Sequence, residues 1–146
     1  MASALLKNAI LLLIAFYIVG GVNGFSFNLR EKKTVRIKNA VEEGNVVKTI
    51  NVRCKSKEDN LGDKVILPGQ SWEFTFRPDI WKDTLFFCRI WWEKNCYYIN
   101  AWVDRSDMEY GKTVCWKIMK DIPCKCDCTD GCKKELICHK RKDCPK

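Results

Sequence analysis

From Thr34 to Ile118 apolar residues recur at every second position, the spacing that sends alternate side chains to opposite faces of an extended strand. Val35 and Ile37 alternate with Arg36 and Lys38. Ile50, Val52 and Cys54 alternate with Asn51 and Arg53, and Trp72, Phe74 and Phe76 alternate with Glu73, Thr75 and Arg77. Each run predicts a strand with one buried and one wet face. Thr84 to Trp92 is more continuous, with Arg89 its only charge after Thr84, and predicts a central strand covered on both faces. Tyr97 to Val103 follows Glu93 to Cys96 at hairpin spacing, and Val114, Trp116 and Ile118 supply a last strand. Pro68-Gly69 interrupts the run Val65 to Phe76 and predicts a type II turn closing a second hairpin, since glycine tolerates positive φ. Cys54 to Gly62, crowded with charged and amide groups, reads as an exposed loop. The fold class expected is all-β: a disulfide-stapled β-sandwich of about seven or eight antiparallel strands with a Cys-rich irregular tail.

The two ends of the chain break this pattern. Lys7 precedes an unbroken apolar run from Ala9 to Val19, and small residues follow at Gly20, Gly21, Val22, Asn23 and Gly24. That is the layout of a secretory signal peptide, too short for a bilayer span of about 20 apolar residues. Cleavage after Gly24 is expected, with a secreted, extracellular product. The organisation expected is therefore a signal at 1–24, a sandwich domain at 25–121 and a Cys-rich extension at 122–146. The last segment has few apolar residues beyond Leu136 and Ile137, so covalent links are expected to hold it.

All ten cysteines follow the expected cut, and an oxidising compartment makes pairing their default state. They are Cys54, Cys88, Cys96, Cys115, Cys124, Cys126, Cys128, Cys132, Cys138 and Cys144. Cys54 with Cys115 is the bond expected first, because it closes a long loop between predicted sandwich edges; the other pairings are left open, within body and tail or between them. Without Lys7 the chain keeps 25 basic and 18 acidic residues, a formal charge of +7. Such a charge favours an anionic wall or membrane surface, and basic residues spread along an exported chain do not point to nucleic acid.

Catalytic chemistry is poorly supplied. The single histidine, His139, cannot assemble a two-histidine ribonuclease mechanism, and Cys138 beside it is expected to be oxidised. The tail cysteines lack the paired spacing of zinc ribbons, and Glu58, Asp59 and Asp63 lack EF-hand spacing. No catalytic residue, metal ligand, cofactor or small-molecule substrate is therefore expected. Of six tryptophans, four or more are assigned to the core.

Several stretches together carry a family resemblance: Val35-Arg-Ile-Lys-Asn39, Cys54-Lys-Ser-Lys-Glu-Asp-Asn-Leu-Gly62, Leu67-Pro-Gly69, Trp72-Glu-Phe-Thr-Phe76, Trp81, Thr84-Leu-Phe-Phe-Cys88, Trp91 and Cys115-Trp116. In this order they resemble the plant self-incompatibility protein family, the S-protein homologues, over roughly residues 34 to 118. The resemblance implies a secreted, non-enzymatic β-sandwich whose best-understood members are pistil ligands recognised by a pollen receptor. Two departures stand out. Arg53 replaces a usual histidine, and Arg105 to Thr113 lacks a usual cysteine, so the family's second core disulfide must find another partner in Cys96 or a tail cysteine.

On this reading the protein is a monomeric ligand of a cell-surface receptor protein in cell-cell signalling. Recognition is expected on loops carried by a rigid scaffold: Lys55, Lys57, Glu58, Asp59 and Asn60; Asp79 and Lys82; Glu93 and Lys94; Asp107 and Glu109. The competing expectation is a cationic defence protein whose Cys-rich tail acts on microbial membranes; residues 117–146 hold nine basic and five acidic side chains.

Overall fold

The computed structural model describes residues 2–21 and 30–146. Helix α1 (Ala2–Gly21) carries the apolar leader, and its Leu5, Leu6, Leu11 and Leu12 are exposed. Among the described residues no helix is long and apolar enough to cross a membrane. The expected cut after Gly24 lies outside the described residues.

The strands, in chain order, are β1 (Lys33–Asn39), β2 (Glu42–Glu43), β3 (Val46–Val47), β4 (Ile50–Lys55), β5 (Asn60–Ile66), β6 (Ser71–Phe76), β7 (Leu85–Trp92), β8 (Asn95–Val103), β9 (Thr113–Ile118), β10 (Pro123–Cys126), β11 (Glu135–Cys138) and β12 (Lys142–Asp143). One sheet has the order β11-β10-β9-β1-β6, the other β12-β8-β7-β4-β5, and β2 pairs with β3 as a ribbon. The fold is all-β, as the alternation predicts. Its pairings are antiparallel except that β1 lies parallel to β9.

Period-two patterning explains the core. Val35 and Ile37 of β1, Val114, Trp116 and Ile118 of β9, Ile50, Val52 and Cys54 of β4, and Phe86, Cys88, Ile90 and Trp92 of β7 are all buried in one cluster shared by the two sheets. Polar bonds cross the same space: Trp116 Nε1 donates to the Ala101 carbonyl at 3.0 Å and the Tyr97 hydroxyl to the Met119 carbonyl at 3.0 Å. Burial pushes the Tyr97 phenol well above its ordinary pKa, which keeps it a neutral donor. Trp92, Trp102 and Trp116 are fully buried and Trp72 packs against them in part, whereas Trp81 and Trp91 lie outside.

Three local expectations need correction. β7 is central, but Leu85, Phe87 and Arg89 face solvent, because no third layer covers that side. The turn at Pro68-Gly69 forms, with Gln70 N–H donating to the Leu67 carbonyl and Gly69 at φ 73°. It is not a hairpin, since β5 and β6 belong to different sheets. Asn39 at the end of β1 exchanges backbone bonds with Gly69 and Gln70, so the chain turns a corner onto β1. The buried Asn39 amide also donates to the Lys48 and Ile66 carbonyls, tying this corner to the second sheet. Finally, the loop expected over Cys54 to Gly62 shrinks to residues 56–59, where Ser56 Oγ accepts from the Glu58 and Asp59 amides.

The bonded pairs are Cys54–Cys88, Cys96–Cys144, Cys115–Cys128, Cys124–Cys138 and Cys126–Cys132. The expected Cys54–Cys115 bond is therefore absent, for a reason of parity. Cys54 points into the core opposite Cys88 on the neighbouring strand. Cys115 lies between the inward Val114 and Trp116 and so points to the outer face of its sheet, where it packs with Cys126, Cys128 and Cys132. Body and tail do not pair separately either, since Cys96–Cys144 and Cys115–Cys128 cross between them. The tail is Cys-rich but carries three strands: β10 adds to β9 and β11 to β10, while β12 adds to β8.

These links predict that the tail is required for folding. Removing residues 122–146 leaves Cys96 and Cys115 without partners and is expected to abolish a cooperative thermal transition. Cys115→Ser and Cys128→Ser should each cost about 3 kcal/mol, as for a loop of that size, and the double variant no more than either. Unchanged denaturation midpoints for the single variants would refute the pairing.

Candidate functional site: the loop end of the sandwich

β7 begins where β4 and β8 end, so the segments after β4, before β7 and after β8 meet at one end of the sandwich. Residues 56–59, 77–84 and 104–112 are brought together there. Lys82 Nζ lies 3.8 Å from a Glu58 oxygen, and Arg105 Nε donates to Asp83 at 3.1 Å. A groove of about 620 Å³ runs between the first two loops, floored by Phe74, Phe76 and Phe86. Glu93 and Lys94 stand elsewhere: their hairpin is at the far end of β7, roughly 26 Å away for eight residues of strand. There Lys48 Nζ donates to Glu93 at 2.7 Å, a contact that raises the Lys48 pKa.

Two carboxylates build this end from beneath. Asp104, buried at the head of helix α2 (Asp104–Asp107), accepts from Trp102 Nε1 at 2.9 Å, from the Thr84 amide at 3.1 Å and from Arg30 Nη1 at 2.7 Å. It therefore joins β8 to the loop before β7. Asp107 is 0% exposed, accepts from the Val103 amide at 2.6 Å and pairs with Lys125 of β10. The Lys125 ammonium sits over the rings of Tyr110, at 4.7 Å, and Trp116, at 5.5 Å. Asp107 is thus corrected from a surface contact to an internal anchor, because the helix turn points it inward. Glu109 remains exposed on the following 3-10 turn (Met108–Tyr110).

Of the other expected contact residues, Lys57, Glu58, Asp59, Asn60 and Lys82 are exposed at the loop end, and Lys55 is half-buried on the outer face of β4. Asp79 positions its neighbours: its Oδ1 accepts from the Trp81 amide at 2.7 Å and the Lys82 amide at 3.3 Å. Those amide donors hold its carboxyl below the usual carboxylate range. The result is Trp81 presented at 87% exposure on a clamped turn. Sequence reasoning placed the loop Pro78 to Asp83 on the binding surface without singling out Trp81, and it passed over Asp104. The signal for Trp81 was its place between Pro78-Asp79 and Asp83, a turn-rich segment with no alternation around it.

His139 packs against Trp116 at 5.2 Å between ring centroids, with the rings tilted by 43°. Burial, and then the nearby Lys125 charge, hold its pKa below the ordinary 6.5. Cys124, Glu135 and Cys138 come within reach of one another, but the two sulfurs are bonded together and offer no thiolate to a metal.

The class these features define is a disulfide-linked β-sandwich that displays ordered loops at one end. The sequence profile of the plant self-incompatibility protein S1 family matches residues 34–140, and the chain belongs to that family. Similar proteins from Arabidopsis thaliana include S-protein homolog 29, 29% identical over 115 residues, covering 79% of this chain and 82% of that protein. S-protein homolog 2 is 33% identical over 114 residues, covering 74% and 67%. S-protein homolog 4 is 36% identical over 99 residues, covering 64% and 63%. No solved structure matches. Members of the family are secreted and are known as non-enzymatic ligands. The profile extends past residue 118, where the motif resemblance stops, and takes in β10 and β11.

Two outcomes follow. Lys125→Met strands the Asp107 charge in the interior and is expected to lower stability by about 3–5 kcal/mol in chemical denaturation, while Glu109→Gln stays within about 0.5 kcal/mol. His139 is depressed in the folded state, so as pH falls through 6.5 the unfolded chain takes up a proton that the folded protein resists. Melting temperature should therefore be full above that range, decline from about pH 7 towards pH 5.5, and decline less in His139→Gln.

Proposed function

We propose that this protein is a secreted, non-enzymatic ligand that binds a cell-surface receptor protein through its loop end, in pollen-pistil recognition or a related form of cell-cell signalling. The observation that carries this reading is Trp81: a large aromatic side chain held in solvent on a turn fixed by Asp79, with Asp79 and Lys82 on either side of it lining the groove between two ordered loops. Exposed tryptophan beside charged groups is the composition of an interface hot spot, and a clamped turn has already lost the freedom that binding would remove. Export rests on the leader at residues 1–24 and on ten cysteines joined in five bonds. The reading as a non-enzyme rests on the family and on a single histidine that lies against Trp116, with every cysteine held in a disulfide.

The defence reading draws less support. Of the nine tail cations, Lys125 is held by the buried Asp107, and at the surface Lys117 is held by Glu135 and Arg141 by Asp143 and the Lys120 carbonyl. A tail woven into both sheets is also poorly suited to act as a detachable membrane-active peptide.

Trp81→Ala is expected to weaken saturable binding of the oxidised, processed protein to receptor-bearing plant cells by roughly thirtyfold, a hot-spot loss of about 2 kcal/mol, with no change in melting temperature. Replacing residues 77–84 with the corresponding loop of a relative should transfer partner preference. Equal binding by Trp81→Ala, or a loop exchange without effect, would count against the proposal.

A further inference from the structure

The outer face of the second sheet is a separate surface, and its argument does not rest on the receptor reading. Along β7, Phe87, Arg89 and Trp91 point outward at alternate positions, roughly 7 Å apart. Register places Arg89 between Arg53 and Tyr98, with Lys142 beyond Tyr98. Arg53 and Arg89 are thus like charges directly opposite on neighbouring strands, an arrangement that is unfavourable without an anion.

The carboxylates within reach resolve it only in part. Asp63 accepts from Arg53, and the nearby Arg89 and Lys55 charges help hold its carboxyl low, but it accepts no hydrogen bond from Arg89; Asp143 pairs with Arg141. Arg89 instead lies over the Trp91 ring at 5.1 Å, with its Nε directed at Cys96 Sγ. Among the described residues, Arg89, Lys55, Lys140 and Lys142 form no ion pair. The same face continues past Tyr98 and Asn100 into a cleft of about 530 Å³, whose far wall carries Lys140 and Lys142.

We infer that this face and cleft bind an acidic polysaccharide, a polyuronate. Charge complementarity selects a polyanion. The interleaving selects a glycan: sugar C–H faces stack on Phe87, Trp91 and Tyr98, ring hydroxyls bond Asn100, and uronate carboxylates meet Arg89, Lys140 and Lys142. A guanidinium steadied over an indole is pre-organised for a carboxylate. The loop end lies beyond this face, so glycan and receptor can be held together.

The test uses the secreted, disulfide-intact protein and polygalacturonate, by titration calorimetry at physiological salt. Saturable binding is expected, lost when the polymer is fully methyl-esterified. Arg89→Gln, Lys140→Gln and Lys142→Gln combined should weaken it roughly tenfold or more, on the scale of lost charge-assisted hydrogen bonds. Lys57→Gln with Lys82→Gln should leave it unchanged. Should the triple variant misfold, amide shifts in the unaltered protein on titration must cluster on the outer faces of β7 and β8. Absence of saturable binding, equal weakening by both variant sets, shifts spread over the surface, or preference for phosphatidylserine vesicles would each overturn the inference.

Discussion

Each five-stranded sheet must hide one face, and here each hidden face is covered only by the other. That single constraint sets the parity of every long strand, because a shift of one residue would turn a row of isoleucine, phenylalanine and tryptophan outward. Trp102 and Trp116 show how tightly it is held: both are buried, and the Trp116 N–H reaches the backbone of the opposite sheet. With the interior committed to packing, only the strand ends and the two outer faces remain for function. The loop end is one of those ends, and the basic face of β7 and β8 is one of those outer faces.

A sandwich of seven long strands has open edges, and the tail closes two of them in part. β10 and β11 extend one sheet beyond β9, and β12 covers the start of β8. Disulfides make this pairing durable where apolar content is scarce, and the Lys125–Asp107 pair adds a polar lock between the tail and the turn that carries Glu109. The tail thereby supports the loop end from below. Its position also explains why a family profile that covers the sandwich runs on to residue 140.

Much of this was legible in the alternation alone. Six of the seven long strands, the Pro68-Gly69 turn and the β7–β8 hairpin follow from hydrophobic patterning and turn chemistry; β5 does not, since its burial fails to alternate and its first residues read as loop. The Cys54–Cys115 expectation failed by neglecting the same rule, since Val114 and Trp116 inward already place Cys115 outward, while Ile50 and Val52 place Cys54 inward. The corner between β5 and β6 was not legible, because a type II turn joins strands of one sheet or of two with the same four residues; the decision lies with Asn39, some thirty residues earlier in the chain. Asp107 was hidden for a related reason. A charged residue in a predicted loop reads as surface until its partner is known, and Lys125 comes from a segment whose pattern gave no sign that it would return to that loop.

The separation of the loop end from the basic face bears on how such a scaffold can work outside the cell. Residues 56–59 and 77–84 are joined to the sandwich by local turns, each fixed by its own side chain, Ser56 in one and Asp79 in the other. Substitutions at Lys57, Glu58, Trp81 or Lys82 therefore alter what the loops present without touching the core. The outer face of β7 and β8 is different, since Arg89 and Trp91 alternate with Cys88, Ile90 and Trp92, and the strand that displays the cations also fills the interior. A change there risks the fold, a change in the loops does not. What the loops present is therefore free to vary at the end of the sandwich, while the charged face is constrained by the strand that bears it.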